Sequence, residues 1–372
     1  MLHHFLFGKR CSQAAFFCLS EQNHWNKKCL ICDKKIEGYK MRKATIYILI
    51  IEILFFLLGG CAKPVKPVIS KNVLTIDKIY STTGYAKDVF ITDNTIYAAQ
   101  DETGIILFDR ESGNILGEMN NDEIKYITLS EEDSVMVGYG DDYFHVYNFT
   151  NPDSIFEIGT SFKDDYSRHP HLDYVSAGKD TIKLTFIKSN VLRRQTYKLG
   201  SWGEWQPILA DNITFSYGTL KNYIIKDDFI ILAAGQIGLI VSSYANEDLM
   251  ITDIEDTPGE ALDVKIVDNF AFIADRQEGF EIVDITDVNN LVTISHEDTE
   301  GYAQSLDLEA NYLAIASGGG GVYLFDVTDK TNPKFLDRID DEEIGYTYKV
   351  VFHNGILYAA TRNGIYKLTI NL

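Results

Sequence analysis

The chain has 372 residues, of which 45% are hydrophobic and 24% are charged, so it has ample apolar material for a buried core. This composition excludes collagen, low-complexity polymers and wholesale disorder. The formal net charge of −20 excludes a basic nucleic-acid-binding protein, because contacts to phosphates need clustered lysine and arginine.

The first 60 residues differ in composition from the rest of the chain. They contain nine lysine and arginine residues and four acidic residues, a net charge of +5, which leaves −25 for residues 61–372. All five cysteines lie within the first 61 residues. The remaining chain therefore has no disulfide and no thiolate metal site, and it must fold by its hydrophobic core alone.

Residues 1–40 precede an apparently complete export signal. We interpret them as a mis-assigned N-terminal extension that is not made when translation begins at Met41. A single Cys-x-x-Cys pair without a matching second pair indicates zinc only weakly. The alternative is nevertheless a small metal site, with ligands drawn from Cys11, Cys18, His24, Cys29 and Cys32.

Residues 41–60 have the pattern of that export signal. From Met41 the sequence runs MRKATIYILIIEILFFLLGGCAK, with two cations, an apolar run and two glycines before Cys61. The pattern resembles a bacterial lipoprotein signal peptide, in which the cations stay in the cytoplasm while the apolar run enters the bilayer. The alternative is an uncleaved transmembrane anchor, because the 17 residues from 44 to 60 are close to the minimum span.

The resemblance implies that Cys61 becomes the first residue of the mature protein and carries a diacylglyceryl group. With an added N-acyl chain, two or more acyl tails would hold the protein stably at a membrane. Residues 61–71 would then form a lipid-anchored tether, and the protein would face outside the cytoplasm in a bacterial cell envelope. If two membranes are present, the lack of Asp at position 62 implies the outer one.

Residues 72–372 contain a repeated unit. Each copy has an alternating apolar strand, a polar turn, a second strand ending in small residues, a glycine turn and a third strand ending in Asp. The clearest copy begins at Ala261, where ALDVKIVDNFAFIAD leads to GFEIVDITD. A fourth strand follows the third, as in residues 333–339.

The turn between the first two strands recurs near positions 93, 133, 180, 227, 268, 310 and 354. A period of about 40 to 50 residues with several short strands is typical of a propeller blade. No long apolar pattern of period 3.6 interrupts the series, which argues against alternating strands and helices. The sequence therefore predicts an all-β, seven-bladed β-propeller of four-stranded antiparallel blades.

The last unit ends at the C terminus without a fourth strand. Residues 73–80, VLTIDKIY, resemble such a strand and have no unit of their own. We therefore predict that this N-terminal strand pairs with the last blade, which would close the ring and remove an unpaired edge.

Two segments, FEIVDITD at 280–287 and VYLFDVTDKTNPKFLDRI at 322–339, resemble the LVIVD repeat family of bacterial propeller proteins. The resemblance is good for units one, five, six and seven and poor for residues 130–245. That family is defined by its fold repeat, so the resemblance implies a fold and no particular activity.

The loops that lead into the innermost strands are where a propeller presents ligands, at the mouth of its channel. Glycine–tyrosine pairs recur in these loops and place Tyr85, Tyr302 and Tyr346 at the candidate binding mouth. Tyrosine has an apolar ring and a polar tip, which suits a protein or a glycan. The alternative is that these rings form a structural plug at the start of the blades.

Acidic loops such as residues 340–343 could bind Ca²⁺, but no EF-hand loop pattern is present, which favours a solvated acidic surface. Asp109, Asp284 and Asp326 recur at one place in the unit. At such a place a carboxylate more often bonds turn amides than a metal.

Two further groups in the divergent third unit have alternative interpretations. Trp202 and Trp205 would form either a stacking platform for a glycan or filler between blades. His169 and His171 would need another ligand or base from elsewhere in the chain before they could act on a metal or a proton.

Nucleophile-elbow and zinc-hydrolase motifs are absent after residue 61, so we predict no catalytic residue, no metal and no cofactor. The sequence favours a lipid-anchored, extracytoplasmic β-propeller that acts as a binding or assembly scaffold. Its predicted partners are the membrane, through the lipid on Cys61, and a protein or glycan, with no nucleic acid. The alternative is a propeller enzyme, such as a metal-assisted hydrolase with its site in the central channel.

Overall fold

The computed structural model describes residues 72–120, 123–150, 155–161, 167–215, 218–243 and 250–371. All of them belong to one compact unit, Val68–Leu372. Three segments of the sequence analysis lie outside the described residues: the extension at 1–40, the signal peptide at 41–60, and the tether at 61–71 with its candidate lipidation site, Cys61.

The described residues contain 28 strands and one short helix, α1 (Asp341–Ile344). After β1 (Leu74–Tyr80), the strands follow one another in sets of four, because short runs of β-branched and aromatic residues alternate with turn residues. The first two sets are β2 (Asp88–Ile91), β3 (Thr95–Ala99), β4 (Ile105–Asp109) and β5 (Ile115–Met119), then β6 (Tyr126–Ser130), β7 (Val135–Tyr139), β8 (Phe144–Asn148) and β9 (Phe156–Ser161).

The third and fourth sets are β10 (Ser167–Val175), β11 (Thr181–Lys188), β12 (Val191–Leu199) and β13 (Glu204–Thr214), then β14 (Asn222–Lys226), β15 (Phe229–Ala233), β16 (Leu239–Ser243) and β17 (Met250–Glu255). The remaining strands are β18 (Asp263–Val267), β19 (Phe270–Ala274), β20 (Phe280–Asp284) and β21 (Val292–Glu297), then β22 (Ser305–Glu309), β23 (Tyr312–Ala316), β24 (Val322–Asp326) and β25 (Lys334–Ile339), and finally β26 (Thr347–His353), β27 (Ile356–Thr361) and β28 (Gly364–Ile370).

These strands form six hydrogen-bonded sheets, five of them with four antiparallel strands. The sixth has eight strands, because β9 and β13 pair in parallel where Thr160 and Ser161 meet Glu204 and Trp205. A Cβ on Gly159 would lie 2.2 Å from the carbonyl oxygen of Gly203, so this join requires glycine. Apart from the join, the eight-stranded sheet consists of two ordinary antiparallel sets.

The predicted pairing of the N-terminal strand with the last sheet is confirmed. β1 pairs antiparallel with β28, from Leu74 opposite Ile370 to Tyr80 opposite Ile365. Both Leu74 and Tyr80 are buried. The two ends of the described chain therefore lie in one sheet, in the order β1, β28, β27, β26.

The predicted turns between the first two strands of each unit also lie where the sequence analysis puts them. At six of these turns a residue other than glycine has a left-handed backbone, with φ between 52° and 54°. This conformation suits tight hairpins because its twist matches that of the flanking strands. The six residues are Ser134, Lys179, Asp227, Asp268, Ala310 and Asn354.

The first strands of successive sets lie side by side in cyclic order. Contacts join β2 to β6, β6 to β10, β10 to β14, β14 to β18, β18 to β22, β22 to β26, and β26 back to β2. The second and third strands of each set are buried between neighbouring sheets, because apolar residues cover both of their faces. Separate core clusters fill the spaces between adjacent sheets.

Fourth strands of neighbouring sheets are tied together by carboxylates. Asp253 in β17 accepts a hydrogen bond from the Leu291 amide, 2.8 Å away, just before β21. Asp337 in β25 accepts hydrogen bonds from the amides of Val73, at 2.7 Å, and Leu74, at 3.0 Å. The N-terminal strand thus makes the contact that a fourth strand makes elsewhere in the molecule.

Deletion of residues 72–80 is expected to lower the free energy of unfolding by several kcal/mol. The deletion exposes the edge of β28, and each of the buried side chains Leu74 and Tyr80 contributes about 1.5–3 kcal/mol. Urea unfolding of the full and truncated chains measures the loss. Tyr80→Ala should reproduce part of it, whereas Ile79→Ala, at a half-exposed side chain, should cost less than about 1 kcal/mol. Equal stability of the two chains would contradict the role of β1.

Candidate functional site

The first strands surround a cavity of about 880 Å³, which is within the size range of small-molecule sites. Residues in or near the first strand of every set line this cavity, together with Arg194 of β12. We call it the central cavity. Six of its lining residues are Asp88, Tyr126, Asn222, Asp263, Ser305 and Lys349.

These six residues occupy one position of the repeat. Asp88, Asp263 and Lys349, for example, each stand opposite an alanine at the end of the second strand or one residue before it. The pairs are Asp88–Ala99, Asp263–Ala274 and Lys349–Ala360. Side chains alternate along a strand, so the next residue in each case is a valine buried between sheets. The polar half of the alternating pattern therefore faces the central cavity.

Aspartates of the first strands bond to the backbone of the next first strand. Asp88 accepts a hydrogen bond from the Ile127 amide at 2.9 Å, and Asp263 accepts one from the Leu306 amide at 3.0 Å. Asp307 accepts a third such bond, from the Phe352 amide at 2.7 Å. The side chains of Asp88 and Asp263 are buried. Carboxylates thus join strands that share no backbone ladder.

More basic than acidic side chains line the central cavity. Residues 72–372 contain 22 lysine and arginine residues and 50 aspartate and glutamate residues, a net charge of −28. Among the described residues, three acidic side chains line the cavity, those of Asp88, Asp173 and Asp263. Seven basic residues of the same described part of the chain do so: Lys87, Lys125, Arg168, Arg194, Lys221, Lys265 and Lys349.

Inside the cavity, two of these lysines pair with carboxylates of neighbouring first strands. Lys349 contacts Asp88, and the Lys265 amine lies 3.3 Å from an Asp307 oxygen. Burial lowers the pKa of Lys265, but the carboxylates of Asp307 and Asp263 more than offset it, so the net shift is upward. Lys265 therefore remains charged at neutral pH.

The remaining three lysines pair with acidic residues that are not part of the cavity lining. The amine of Lys125 lies 2.6 Å from a carboxylate oxygen of Asp141, and that of Lys221 lies 2.7 Å from Glu260. Lys87 is 3.5 Å from Asp101.

The third set is irregular where it meets the central cavity. The register of β10 against β11 shifts between Arg168 and His171, and His169 has a φ of 47°. The His169 ring contacts the Tyr126 ring, with 5.0 Å between centroids. Burial, offset in part by Asp263, lowers the pKa of His169 to about 4, so its imidazole is neutral at pH 7.

His171 also lines the central cavity, and its Nδ1 lies 3.0 Å from an Asp173 oxygen. The other Asp173 oxygen accepts a hydrogen bond from Thr185. The structure thus brings the two histidines of the sequence analysis to one cavity. Within the described part of the chain, no group of three His, Cys, Asp or Glu side chains could hold a metal ion.

The candidate mouth residues Tyr85, Tyr302 and Tyr346 each lie three residues before the cavity-facing position of their first strand. Those strands, β2, β22 and β26, are neighbours. Tyr85 and Tyr302 are 42% and 45% exposed, and Tyr346 is half-buried. The three tyrosines therefore precede three neighbouring first strands.

Cations and a further ring hold these tyrosines. The Arg362 guanidinium lies 5.1 Å from the Tyr85 ring centre and donates a hydrogen bond to its hydroxyl at 3.2 Å. Arg276 lies 5.4 Å from the Tyr302 ring centre. Tyr346 is 4.9 Å from the Tyr348 ring, and burial together with that neighbour raises its pKa.

The glycines that precede these tyrosines allow a close approach of two loops. A Cβ on Gly84 would lie 2.1 Å from the carbonyl oxygen of Gln100, and one on Gly301 would lie 2.2 Å from that of Ser317. Gln100 also accepts a hydrogen bond from the Thr83 amide at 2.9 Å. Each Gly-Tyr pair is therefore fixed against the loop that follows a second strand.

Other candidate residues have structural roles. Asp284 and Asp326 accept hydrogen bonds from the amides of Thr286 and Thr328, both at 2.8 Å. The hydroxyl and the amide of each threonine lower the pKa of the aspartate carboxyl that they contact. Asp109 likewise accepts a hydrogen bond from the Ser112 amide. All three carboxylates therefore bond turn amides, as predicted from the sequence.

The structure separates the two tryptophans of the divergent unit. Trp205 is fully buried in a core cluster between the second and third sets, whereas Trp202 is 93% exposed in the turn before β13. They therefore do not form one stacking platform, and Trp205 is the filler between sheets that the alternative interpretation predicts.

Solved structures with the same fold come from the WD40 repeats of RRP9 (TM-score 0.58, 10% identity, covering 82% of this chain and 99% of that one) and U3-55K (0.59, 10%, 81% and 99%). The computationally designed Ika8 protein is also similar, with a TM-score of 0.56 and 11% identity over 79% of this chain and 98% of that one. At such low identity the likeness shows the fold alone. The chain is thus an all-β, propeller-like protein.

The LVIVD repeat model matches residues 258–299 and 300–341. The resemblance to the LVIVD repeat family is therefore confirmed for two consecutive repeats. No curated protein matches the chain. No helix among the described residues is long and apolar enough to span a membrane.

An acidic cluster lies away from the central cavity. Glu281 in β20 is only 2% exposed, and one of its oxygens has no hydrogen-bond partner among the described residues. Its other oxygen lies 3.6 Å from His296 Nδ1. Burial, with the nearby carboxylates of Asp275 and Glu255, raises the pKa of Glu281 to about 7.

Glu281 should make the protein less stable as pH rises. The unfolded chain loses this proton near the ordinary pKa of 4.5 and the folded chain near 7, so stability falls between those values, by about 3 kcal/mol. We expect Glu281→Gln to raise the midpoint of thermal unfolding at pH 8 more than at pH 4.5. Glu118→Gln, at an exposed residue of β5, is the matched control. A pH-independent effect of Glu281→Gln would contradict the assignment.

Proposed function

We propose that this chain is a seven-bladed β-propeller, anchored by a lipid on Cys61 in a bacterial cell envelope where it faces outside the cytoplasm, and that it acts as a binding or assembly scaffold. Each set of four strands is one blade, and β1 supplies the fourth strand of the last one. The cyclic contacts of the first strands and the pairing of β1 with β28 support this count.

The exposed tyrosines of the candidate mouth, which neighbouring cations hold in place, are the observation that supports the binding role. Tyr85 and Tyr302 present rings to solvent while Arg362 and Arg276 hold them from one side. A side chain that is already ordered loses little entropy when a partner binds. The mouth is therefore suited to a protein or glycan, because either can stack on rings and bond to hydroxyls.

The cavity carboxylates favour a scaffold over a metal-assisted hydrolase. Asp88 and Asp263 each accept a hydrogen bond from the backbone of the next first strand, and Asp88 also pairs with Lys349. A catalytic carboxylate must instead reach substrate or metal. These groups serve to hold the ring together.

Replacement of the mouth tyrosines tests the binding role. Co-purification from intact cells should recover a stoichiometric partner with the native chain, and the Tyr85→Ala/Tyr302→Ala pair should lower its yield at least about tenfold, since buried aromatic anchors dominate binding energy. The control is Tyr174→Ala, because Tyr174 is 54% exposed at the far end of β10. Equal recovery with all three chains would contradict the role of the mouth.

The lipid anchor is tested separately, by fractionation of cells that make Cys61→Ser. We expect this variant to leave the membrane fraction, because it lacks the thiol that would carry the diacylglyceryl group. Ala62→Ser, which changes the neighbouring residue and keeps the thiol, should stay in that fraction. Continued sedimentation of Cys61→Ser with membranes would contradict the anchor.

A further inference from the structure

We propose that the central cavity contains a binding site for a small oxyanion, a carboxylate or a phosphate ester, where the third set bulges into it. This site is distinct from the tyrosine mouth, and it does not rest on the scaffold function. Its first support is the charge of the lining, which holds seven basic but three acidic side chains among the residues that the structure describes. The lining thus brings basic side chains together inside an acidic chain, and the carboxylate partners of each cation decide which of them can attract an anion.

The partners of these cations locate the site within the cavity. Lys87, Lys125 and Lys221 pair with carboxylates outside the cavity lining, and Lys265 and Lys349 pair with carboxylates of neighbouring first strands. Arg194 lies beside Asp173 and helps to lower the pKa of that carboxyl.

Arg168 is different from the other six. Arg168 lines the cavity and is exposed to solvent, and its guanidinium has no hydrogen bond or ion pair with any residue that the structure describes. Its planar set of N–H donors matches the oxygens of a carboxylate or phosphate in pairs. Among the described lining residues, the cation without a protein partner therefore lies on β10.

The bulge of β10 supplies further groups at the same place. His169 and Arg168 are consecutive residues that both line the cavity, and Tyr126 contacts the His169 ring. A neutral imidazole can donate one N–H to an oxyanion without the cost of a second buried charge. The nearby carboxylates repel an anion less than their number suggests, because Asp88 is paired with Lys349 and Asp263 accepts bonds from two backbone amides.

The cavity volume limits the ligand to a small molecule. About 880 Å³ accommodates a metabolite-sized compound and leaves room for its hydration shell. Polyanions such as nucleic acids are disfavoured, because the chain around the cavity has a net charge of −28 and would repel an extended polymer.

Isothermal titration calorimetry of the full chain tests the site, with citrate as the carboxylate probe and pyrophosphate as the phosphate probe at constant ionic strength. We expect at least one probe to bind and Arg168→Gln to weaken that binding by about tenfold or more. Binding of citrate alone identifies a carboxylate site, and binding of pyrophosphate alone identifies a phosphate site. Sodium chloride at the same ionic strength controls for screening.

Arg193→Gln is the matched control, because Arg193 lies on the same sheet and bonds Asn212 outside the cavity. It should leave the affinity unchanged. If Arg168→Gln does not fold, Arg168→Lys and His169→Gln carry the test, and we expect each to weaken binding at least threefold. Failure of both probes to bind, or equal affinities for Arg168→Gln and Arg193→Gln, would overturn the proposal. Loss of partner capture by the tyrosine variants would leave this result unaffected.

Discussion

Neighbouring sheets in this protein meet face to face, so most of them share no backbone ladder, and something else must fix their spacing and angle. Carboxylates do this at two places, between first strands and between fourth strands. Asp88 and Asp263 reach from one first strand to the amides of the next, and Asp337 reaches from a fourth strand to β1. A hydrogen bond to a charged group contributes about 1.5–3 kcal/mol, and apolar packing alone has no comparable directionality.

This arrangement also explains the composition of the central cavity. The position that faces the cavity must be polar, because water reaches it, and an aspartate there can bond the next strand. Once Asp88 and Asp263 are engaged in this way, lysines such as Lys349 neutralise the remaining charge. Among the described residues that line the cavity, Arg168 then remains as a cation without a carboxylate partner.

The regular parts of the fold could be predicted from the sequence because each unit repeats the same local rules. The turn at Asp268 and the N-terminal strand at Leu74 followed from spacing and strand pattern alone. The ties made by Asp88 and Asp263 were missed, although both residues stand in similar contexts, AKDV at 86–89 and ALDV at 261–264. Alternation shows which residues share a face, but it does not show that a neighbouring amide lies within reach.

The third set shows why the rest of the site could not be predicted in this way. Its strands β10 to β13 have 9, 8, 9 and 11 residues, longer than most others, and β13 joins β9 through the parallel pair at Glu204 and Trp205. The sequence there departs from the repeat, so no other unit indicates where its side chains lie. A ring of similar units presents similar groups on every side, whereas a ligand site needs an asymmetric arrangement of groups. Local departures from a regular pattern are therefore where function is expected, and the bulge at His169 is such a departure on the wall of the central cavity.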